Sequence, residues 1–186
     1  MKIIRYADLV QVPWKNGGGV TREIAREEEG DEIGWRLSIA DVGLEGSFSA
    51  FPGLQRILTV IEGAGMVLDR PNEPPIAANL FEPVSFSGDE PINGLLPNGP
   101  CRDFNVIWNP KLTAASVTVA TGKQKAVKAS AGGITGLLCL EGAVQLPAGQ
   151  ALAPFDFAFF DSTVESASLS FSSIALLIHI VPVSKP

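Results

Sequence analysis

Short runs rich in β-branched and aromatic residues, many alternating between apolar and polar, follow one another along this chain and are cut apart by glycine, proline and Asn-Gly. A period of two places successive side chains on opposite faces of a strand, and such frequent turn residues leave no room for a long helix. Strands are predicted over Thr21–Ala25, Trp35–Val42, Gln55–Glu62, Gly65–Leu68, Val84–Phe86 and Arg102–Trp108. A second series covers Ala115–Thr121, Gly136–Leu140, Ala143–Gln145, Asp156–Phe160, Ser168–Phe171 and Ala175–Val181. One helical turn is expected at Asp8-Leu9-Val10, capped by Asp8. Asp69–Asn79 and Pro91–Pro100 read as loops, because Pro removes ladder donors and Asn-Gly favours a tight turn. The charged run Arg26–Glu32 reads as a solvated turn between strands.

The alternation also tells which side chains share a face. Arg36, Ser38, Ala40 and Val42 lie together, opposite Trp35, Leu37 and Ile39. Arg56, Leu58, Val60 and Glu62 form a second such row. Asp103, Asn105 and Ile107 form a third, opposite Phe104, Val106 and Trp108. Each row sets one or two polar groups among small or apolar neighbours, the arrangement a pocket inside a barrel requires.

The second half of the chain repeats the first in degraded form. Glu62-Gly63-Ala64 returns as Glu141-Gly142-Ala143, and Phe81-Glu82 with Phe86 returns as Phe155-Asp156 with Phe160, after a loop shortened in the second copy. Two long copies imply a duplicated domain rather than a solenoid. The expected fold is all-β: two small antiparallel barrels or jelly rolls joined near Asn109–Lys111. An N-terminal lobe over residues 1–109 carries the pocket, and a degenerate lobe spans 110–186.

Composition narrows the function. With 46% hydrophobic residues the 186-residue chain can bury a sizeable core. A net charge of −6 lacks the basic footprint that nucleic acid demands. No run is apolar and long enough to span a membrane, and the start M-K-I-I-R-Y-A-D lacks the pattern of a secretory signal. A cytoplasmic location without membrane or nucleic-acid partners is expected. Cys101 and Cys139 have no disulfide or zinc spacing. All the arginines lie at or before Arg102, so the polar chemistry belongs to the first lobe, and a homodimer is left open for the second.

Arg36 and Arg56 each interrupt a strand of small or apolar neighbours. An arginine in such a place is paired with a carboxylate, solvated at an edge or directed at a ligand, and Asp103, Glu62 and Glu23 are the candidate carboxylates. Two arginines in one lobe favour an anionic ligand, because the guanidinium fork matches a carboxylate bidentately. Asn105 and Ser38 are placed to orient its neutral parts. The run Lys15-Asn16-Gly17-Gly18-Gly19 admits three readings: a phosphate loop, a positive-φ turn, or a turn that also lines the pocket. It lacks the ending of a nucleotide loop, and a strand rather than a helix follows it. In the last reading Lys15 and Asn16 stand at the mouth. No nucleophile elbow or catalytic triad is present, although Glu23 or Asp103 is able to do acid–base work if burial raises its pKa.

Several segments in order resemble the HutD/Ves family of double-cupin proteins. They are Pro13-Trp14-Lys15-Asn16-Gly17-Gly18-Gly19-Val20-Thr21-Arg22-Glu23-Ile24, Trp35-Arg36-Leu37-Ser38-Ile39-Ala40, Gly46-Ser47-Phe48-Ser49-Ala50-Phe51-Pro52-Gly53 with Arg56, and Gly99-Pro100 with Asp103-Phe104-Asn105-Val106. The resemblance implies a bicupin and a small-molecule binding, regulatory role linked to bacterial histidine utilisation, with urocanate or a formylated acidic intermediate as ligand. Cupins often hold a metal through two or three imidazoles and a carboxylate. This chain has one histidine, His179, set in an apolar strand, so no metal and no other cofactor is expected. The sequence thus favours a metal-independent binder of a small carboxylate metabolite over an enzyme, with Lys15, Asn16, Glu23, Arg36, Ser38, Arg56, Asp103 and Asn105 as its site. The alternative is a metal-independent cupin enzyme, an isomerase or hydrolase acting on a small organic acid.

Overall fold

The computed structural model describes residues 1–30, 32–122, 133–160, 167–169 and 172–183. In chain order its strands are β1 (Lys2–Ile4), β2 (Gln11–Pro13), β3 (Gly19–Glu29), β4 (Glu32–Val42), β5 (Gly46–Ser47), β6 (Gln55–Glu62), β7 (Met66–Asp69), β8 (Ile76–Ala78), β9 (Val84–Ser87), β10 (Asn93–Leu95) and β11 (Cys101–Trp108). They continue with β12 (Thr113–Thr121), β13 (Ile134–Glu141), β14 (Val144–Gln145), β15 (Ala151–Leu152), β16 (Phe157–Phe160), β17 (Ser168–Leu169) and β18 (Ile174–Pro182). Among the described residues the only helical elements are two 3-10 turns, Tyr6–Asp8 and Pro147–Gly149, and no helix is long and apolar enough to cross a membrane.

The chain divides into two compact units. One is Val10–Leu112, and the other joins Met1–Leu9 to Thr113–Pro186. The boundary falls a few residues beyond the expected one. The first nine residues, read from sequence as part of the N-terminal lobe, belong with the C-terminal unit because β1 pairs antiparallel with β16, Ile3 opposite Ala158. A three-residue strand carries no signal of which distant edge it will complete.

Within Val10–Leu112 a six-stranded sheet runs β2-β3-β4-β11-β6-β9, facing a smaller sheet ordered β5-β10-β7-β8. Leu58, Val60, Met66, Leu68, Phe86 and Val42 form the core between them. The other unit repeats this plan: β12-β18-β13-β16 match β4-β11-β6-β9, and β17-β14-β15 match β10-β7-β8. The agreement reaches single residues. Phe81 and Phe155 both have positive φ, 62° and 69°. The Phe81 N–H donates to Val60 O at 2.8 Å, and the Phe155 N–H donates to Cys139 O at 2.7 Å.

Three local expectations are corrected. The helical turn is Tyr6–Asp8, with Asp8 its last residue rather than its cap, because the Asp8 N–H bonds back to Arg5 O. The two segments read as loops contain β8 and β10, which flank β7 through Met66↔Ala78 and Gly94↔Leu68. Arg26–Glu29 continues β3 as an exposed strand, so the turn before β4 is much shorter than the charge run.

Candidate ligand-binding site

Strand alternation turns one row of each central strand into the interior of the Val10–Leu112 unit, and there the rows enclose a cavity of about 530 Å³. β4 contributes Arg36, Ser38 and Ala40, β11 contributes Asp103, Asn105 and Ile107, and β6 contributes Arg56. Val42, Leu58 and Val60 continue the same rows into the apolar core. Thr21, the turn Trp14-Lys15-Asn16 and the segment around Ser47, Phe48, Ser49 and Phe51 complete the wall.

The polar groups of the floor form a chain. The Arg56 Nη2 donates to Asn105 Oδ1 at 2.8 Å, and the Asn105 Nδ2 in turn donates to Asp103 Oδ1. Arg56 is 6% exposed and Asp103 1%. Three aromatic rings cage the guanidinium, with Phe86, Phe48 and Phe51 centroids 4.9, 5.3 and 5.4 Å from its central carbon. A cation over ring faces gains from their negative quadrupoles, which partly replaces lost hydration. Among the described residues the enclosed Nε nevertheless has no partner, and Nη1 has only a 3.5 Å contact with Ser49 O. Burial pulls the Arg56 pKa down to about 10; the charge of Asp103 works against that shift and the charge of Arg36 with it. Burial pushes Asp103 up to about 7, with the Arg56 charge pulling it back and the Asp41 charge adding to the rise.

Arg36 is anchored differently. Its Nε donates to Glu23 Oε2 at 2.8 Å, leaving both terminal nitrogens without a protein partner among the described residues. The glycine run is a turn that lines the wall. Gly17 has φ of 71°, the Asn16 Oδ1 accepts from the Gly18 N–H at 3.0 Å, and β3 follows directly. A Cβ on Gly19 would stand 2.3 Å from Asp41 O, so close approach fixes glycine there.

Of the residues singled out from sequence, Lys15, Asn16, Arg36, Ser38, Arg56, Asp103 and Asn105 line one cavity. Glu23 does not. A register shift between Glu23 and Ala25 interrupts the β3–β4 ladder, and a bulge of this kind bends the strand and re-aims its side chains. Glu23 acts on the cavity only by holding Arg36. Neither Glu62 nor Glu23 pairs with Arg56: Glu62 bonds Arg102. Sequence reasoning missed the aromatic cage and the rim hydroxyls Ser47, Thr21 and Ser49. The signal present was Ser47-Phe48-Ser49-Ala50-Phe51, whose aromatic spacing matches no regular strand.

The donor set does not fit the transition-metal ion that many cupin folds carry. The cavity offers one carboxylate, already bonded to Asn105, beside three cationic side chains and no imidazole, whereas such ions need converging imidazole or carboxylate donors. Among the described residues no three His, Cys, Asp or Glu side chains gather. His179 lies on β18 with Nδ1 3.2 Å from Thr135 Oγ1.

The HutD family model matches residues 6–175. This chain belongs to the HutD family. It is 34% identical to HutD from Pseudomonas fluorescens SBW25, superposing with a TM-score of 0.87 over 98% of this chain and 99% of the other. A conserved protein of unknown function from Pseudomonas aeruginosa PAO1 is 32% identical, with a TM-score of 0.82 over 97% and 98%. An uncharacterized 21.2 kDa protein from the region 3' of hutC in Pseudomonas putida is 45% identical over 60% of each chain. Protein Ves of Citrobacter koseri is 33% identical over 63% of this chain and 64% of its own. The match thus spans less than two thirds of the length of these last two relatives. Quercetin 2,3-dioxygenase from Acinetobacter baumannii, 12% identical with a TM-score of 0.65 over 96% of this chain and 78% of its own, shares the cupin fold alone. The HutD-family chain is therefore an all-β protein of cupin type.

Proposed function

We propose that this HutD-family protein is a metal-independent, cytoplasmic binder of a small carboxylate metabolite, acting as a sensor or sequestering protein in histidine utilisation. The observation that carries this reading is the buried Arg56–Asn105–Asp103 chain at the floor of a cavity whose mouth holds Arg36 and Lys15. Arg36 keeps a planar pair of N–H groups open to a ligand, and a guanidinium held by Glu23 loses little freedom on binding. Arg36 and Arg56 flank Ile107 in one row across the sheet, with Ser38 and Asn105 in the next, an arrangement that suits an anion with a polar body. Membership of the family and the P. putida relative's position beside hutC support the pathway. The P. fluorescens HutD structure is of a formate condition, and formate is the smallest carboxylate.

The test is native mass spectrometry of gently purified protein for a retained acid, followed by calorimetric titration with formate, urocanate and a formylated acidic amino acid. Saturable binding at one site, lost in an Arg36→Ala, Arg56→Met double variant, is expected. No binding by any of the three would overturn the reading. A second reading, a metal-independent enzyme acting on the same acid, is favoured by one feature: a buried carboxyl with a pKa of about 7 is matched to proton transfer at neutral pH. It predicts turnover of the bound acid that stops in Asp103→Asn, whereas a binder returns the acid unchanged.

A further inference from the structure

Asp103 is the third residue of β11, and its ladder partners on both sides, Ala40 on β4 and Val60 on β6, are apolar. Nothing across either ladder solvates its carboxyl. Its one hydrogen bond is the contact from the Asn105 amide to Oδ1. Oδ2 has no protein partner among the described residues, yet it is not among the fully enclosed polar atoms, so it meets the cavity. No ion pair joins Asp103 to Arg56, because Asn105 stands between them.

A cavity that receives an anion therefore has one wall group able to carry the same charge as its ligand. Two carboxylates in contact within a low-dielectric site cannot both stay ionised; one keeps a proton. We propose that Asp103 binds the ligand as the neutral carboxylic acid, donating its Oδ2–H to the ligand carboxylate, and that the protein takes up a proton from solvent as the anion enters. The inference rests on the carboxylate-binding reading above. The ligand end that reaches the floor is then an acceptor on both sides, toward Arg56 and toward Asp103. An ammonium or amide N–H placed there would face donors only.

Of the charges around Asp103, that of Arg56 favours its ionised form and that of Asp41 its neutral one, while burial outweighs both. Arg56 approaches from β6, Arg36 and Asp41 belong to β4, Cys101 precedes it on β11, and Lys15 comes from the turn after β2. Asp41 is committed elsewhere, to Arg22 and Arg102. Burial, the dominant influence on Asp103, already brings it to the edge of neutrality without ligand, and an adjacent anion raises it further. The proton balance is simple: buffer acid loses a proton, and Oδ2 gains it in the fraction of molecules that were ionised.

Two measurements test the proposal. Carbon-13 NMR of the aspartate carboxyls, with Asp103→Asn to assign the signal, should give a midpoint near neutrality in ligand-free protein, moving up by more than about two units with saturating formate. Formate affinity followed from pH 5.5 to 9 should be flat below neutrality and then fall about tenfold per unit, while titrations at pH 8.5 in buffers of different ionisation enthalpy approach about one proton taken up per formate. Asp103→Asn keeps an N–H donor at the same place, so its affinity should be flat throughout and exceed that of the wild type at pH 8.5. Formate binding with no proton uptake and no pH dependence overturns the inference alone. So does loss of binding in Asp103→Asn at every pH. If formate fails to bind at any pH, the carboxylate reading falls and this inference with it.

Discussion

Replacing Arg56 with methionine separates a ligand-binding arginine from a structural one. The substitution keeps the length of the stem and removes the charge. In the free protein it loses one charge-assisted hydrogen bond, the 2.8 Å contact with Asn105, worth about 1.5–3 kcal/mol. It also loses cation–π contact with three rings, about 0.5–2 kcal/mol. Against these losses stand the desolvation of a guanidinium with no ion pair and an orphaned Nε, a cost of several kcal/mol, and the sulfur–aromatic contacts the new side chain makes in the same cage, roughly 0.3–1.5 kcal/mol. The opposing contributions nearly cancel. Ligand-free stability should change by less than about 2 kcal/mol, a melting shift within roughly 10 °C. Binding should weaken clearly: without a charge-assisted bond to the ligand, affinity falls about ten- to a hundredfold. Arg56→Lys, which keeps the charge without the fork, should lie between the two. Scanning calorimetry without ligand and titration with it provide both numbers. A melting temperature lowered by more than about 20 °C with unchanged affinity would refute the ligand role and leave Arg56 a structural residue.

Gly19→Ala forces a Cβ against Asp41 O at 2.3 Å and the Trp14 ring at 3.1 Å, so it should destabilise by at least about 2 kcal/mol in urea unfolding; an unchanged midpoint would show that the turn yields freely. Because burial raises the Asp103 pKa to about 7, the folded state holds a proton that the unfolded chain releases near pH 4, so this contribution to stability is fully present below about pH 4 and is lost as pH rises to 7. Asp103→Asn should consequently melt higher than wild type at pH 8, with the gap closing toward pH 4; a gap independent of pH would contradict the assignment. Titration should give one ligand per chain, since residues 111–186 contain no arginine, and two equivalent sites would mean the second unit binds as well. Elemental analysis of protein purified without chelator should find no stoichiometric Fe, Mn, Ni or Zn, and a full equivalent of any would overturn the metal-independent reading.

Much of this architecture was legible because strand periodicity and turn chemistry act locally. Alternation alone assigned Arg36, Ser38, Asp103 and Asn105 to a common interior, and they meet in one cavity. The degraded repeat was legible because its surviving residues occupy positions with backbone constraints: Gly63 and Gly142 both need positive φ, and each tolerates only glycine without strain. What escaped were pairings decided by distant parts of the chain. β1 finds its edge on β16, and the three-residue strands β8 and β10 exist because β7 offers them a ladder on each side. Glu23 obeys the alternation on paper and breaks it in space through a bulge. The partner of Arg56 was hidden for another reason: a three-ring cage drawn from Phe48, Phe51 and Phe86 has no sequence periodicity, and an amide rather than a carboxylate answers the charge.

The cage around Arg56 also bears on where the specificity proposed for this site is open to change. The guanidinium is positioned by three rings and by Asn105 at once, so altering any one of these neighbours disturbs the whole floor. Lys15, Asn16 and Ser47 lie on turn and rim segments and are partly or fully exposed, so substitutions there reshape the entrance at small cost to the fold. On the carboxylate-binding proposal, variants selective for different acids are accordingly expected to share the floor and diverge at the rim, and a designer seeking a new specificity would begin with the rim and leave the floor untouched.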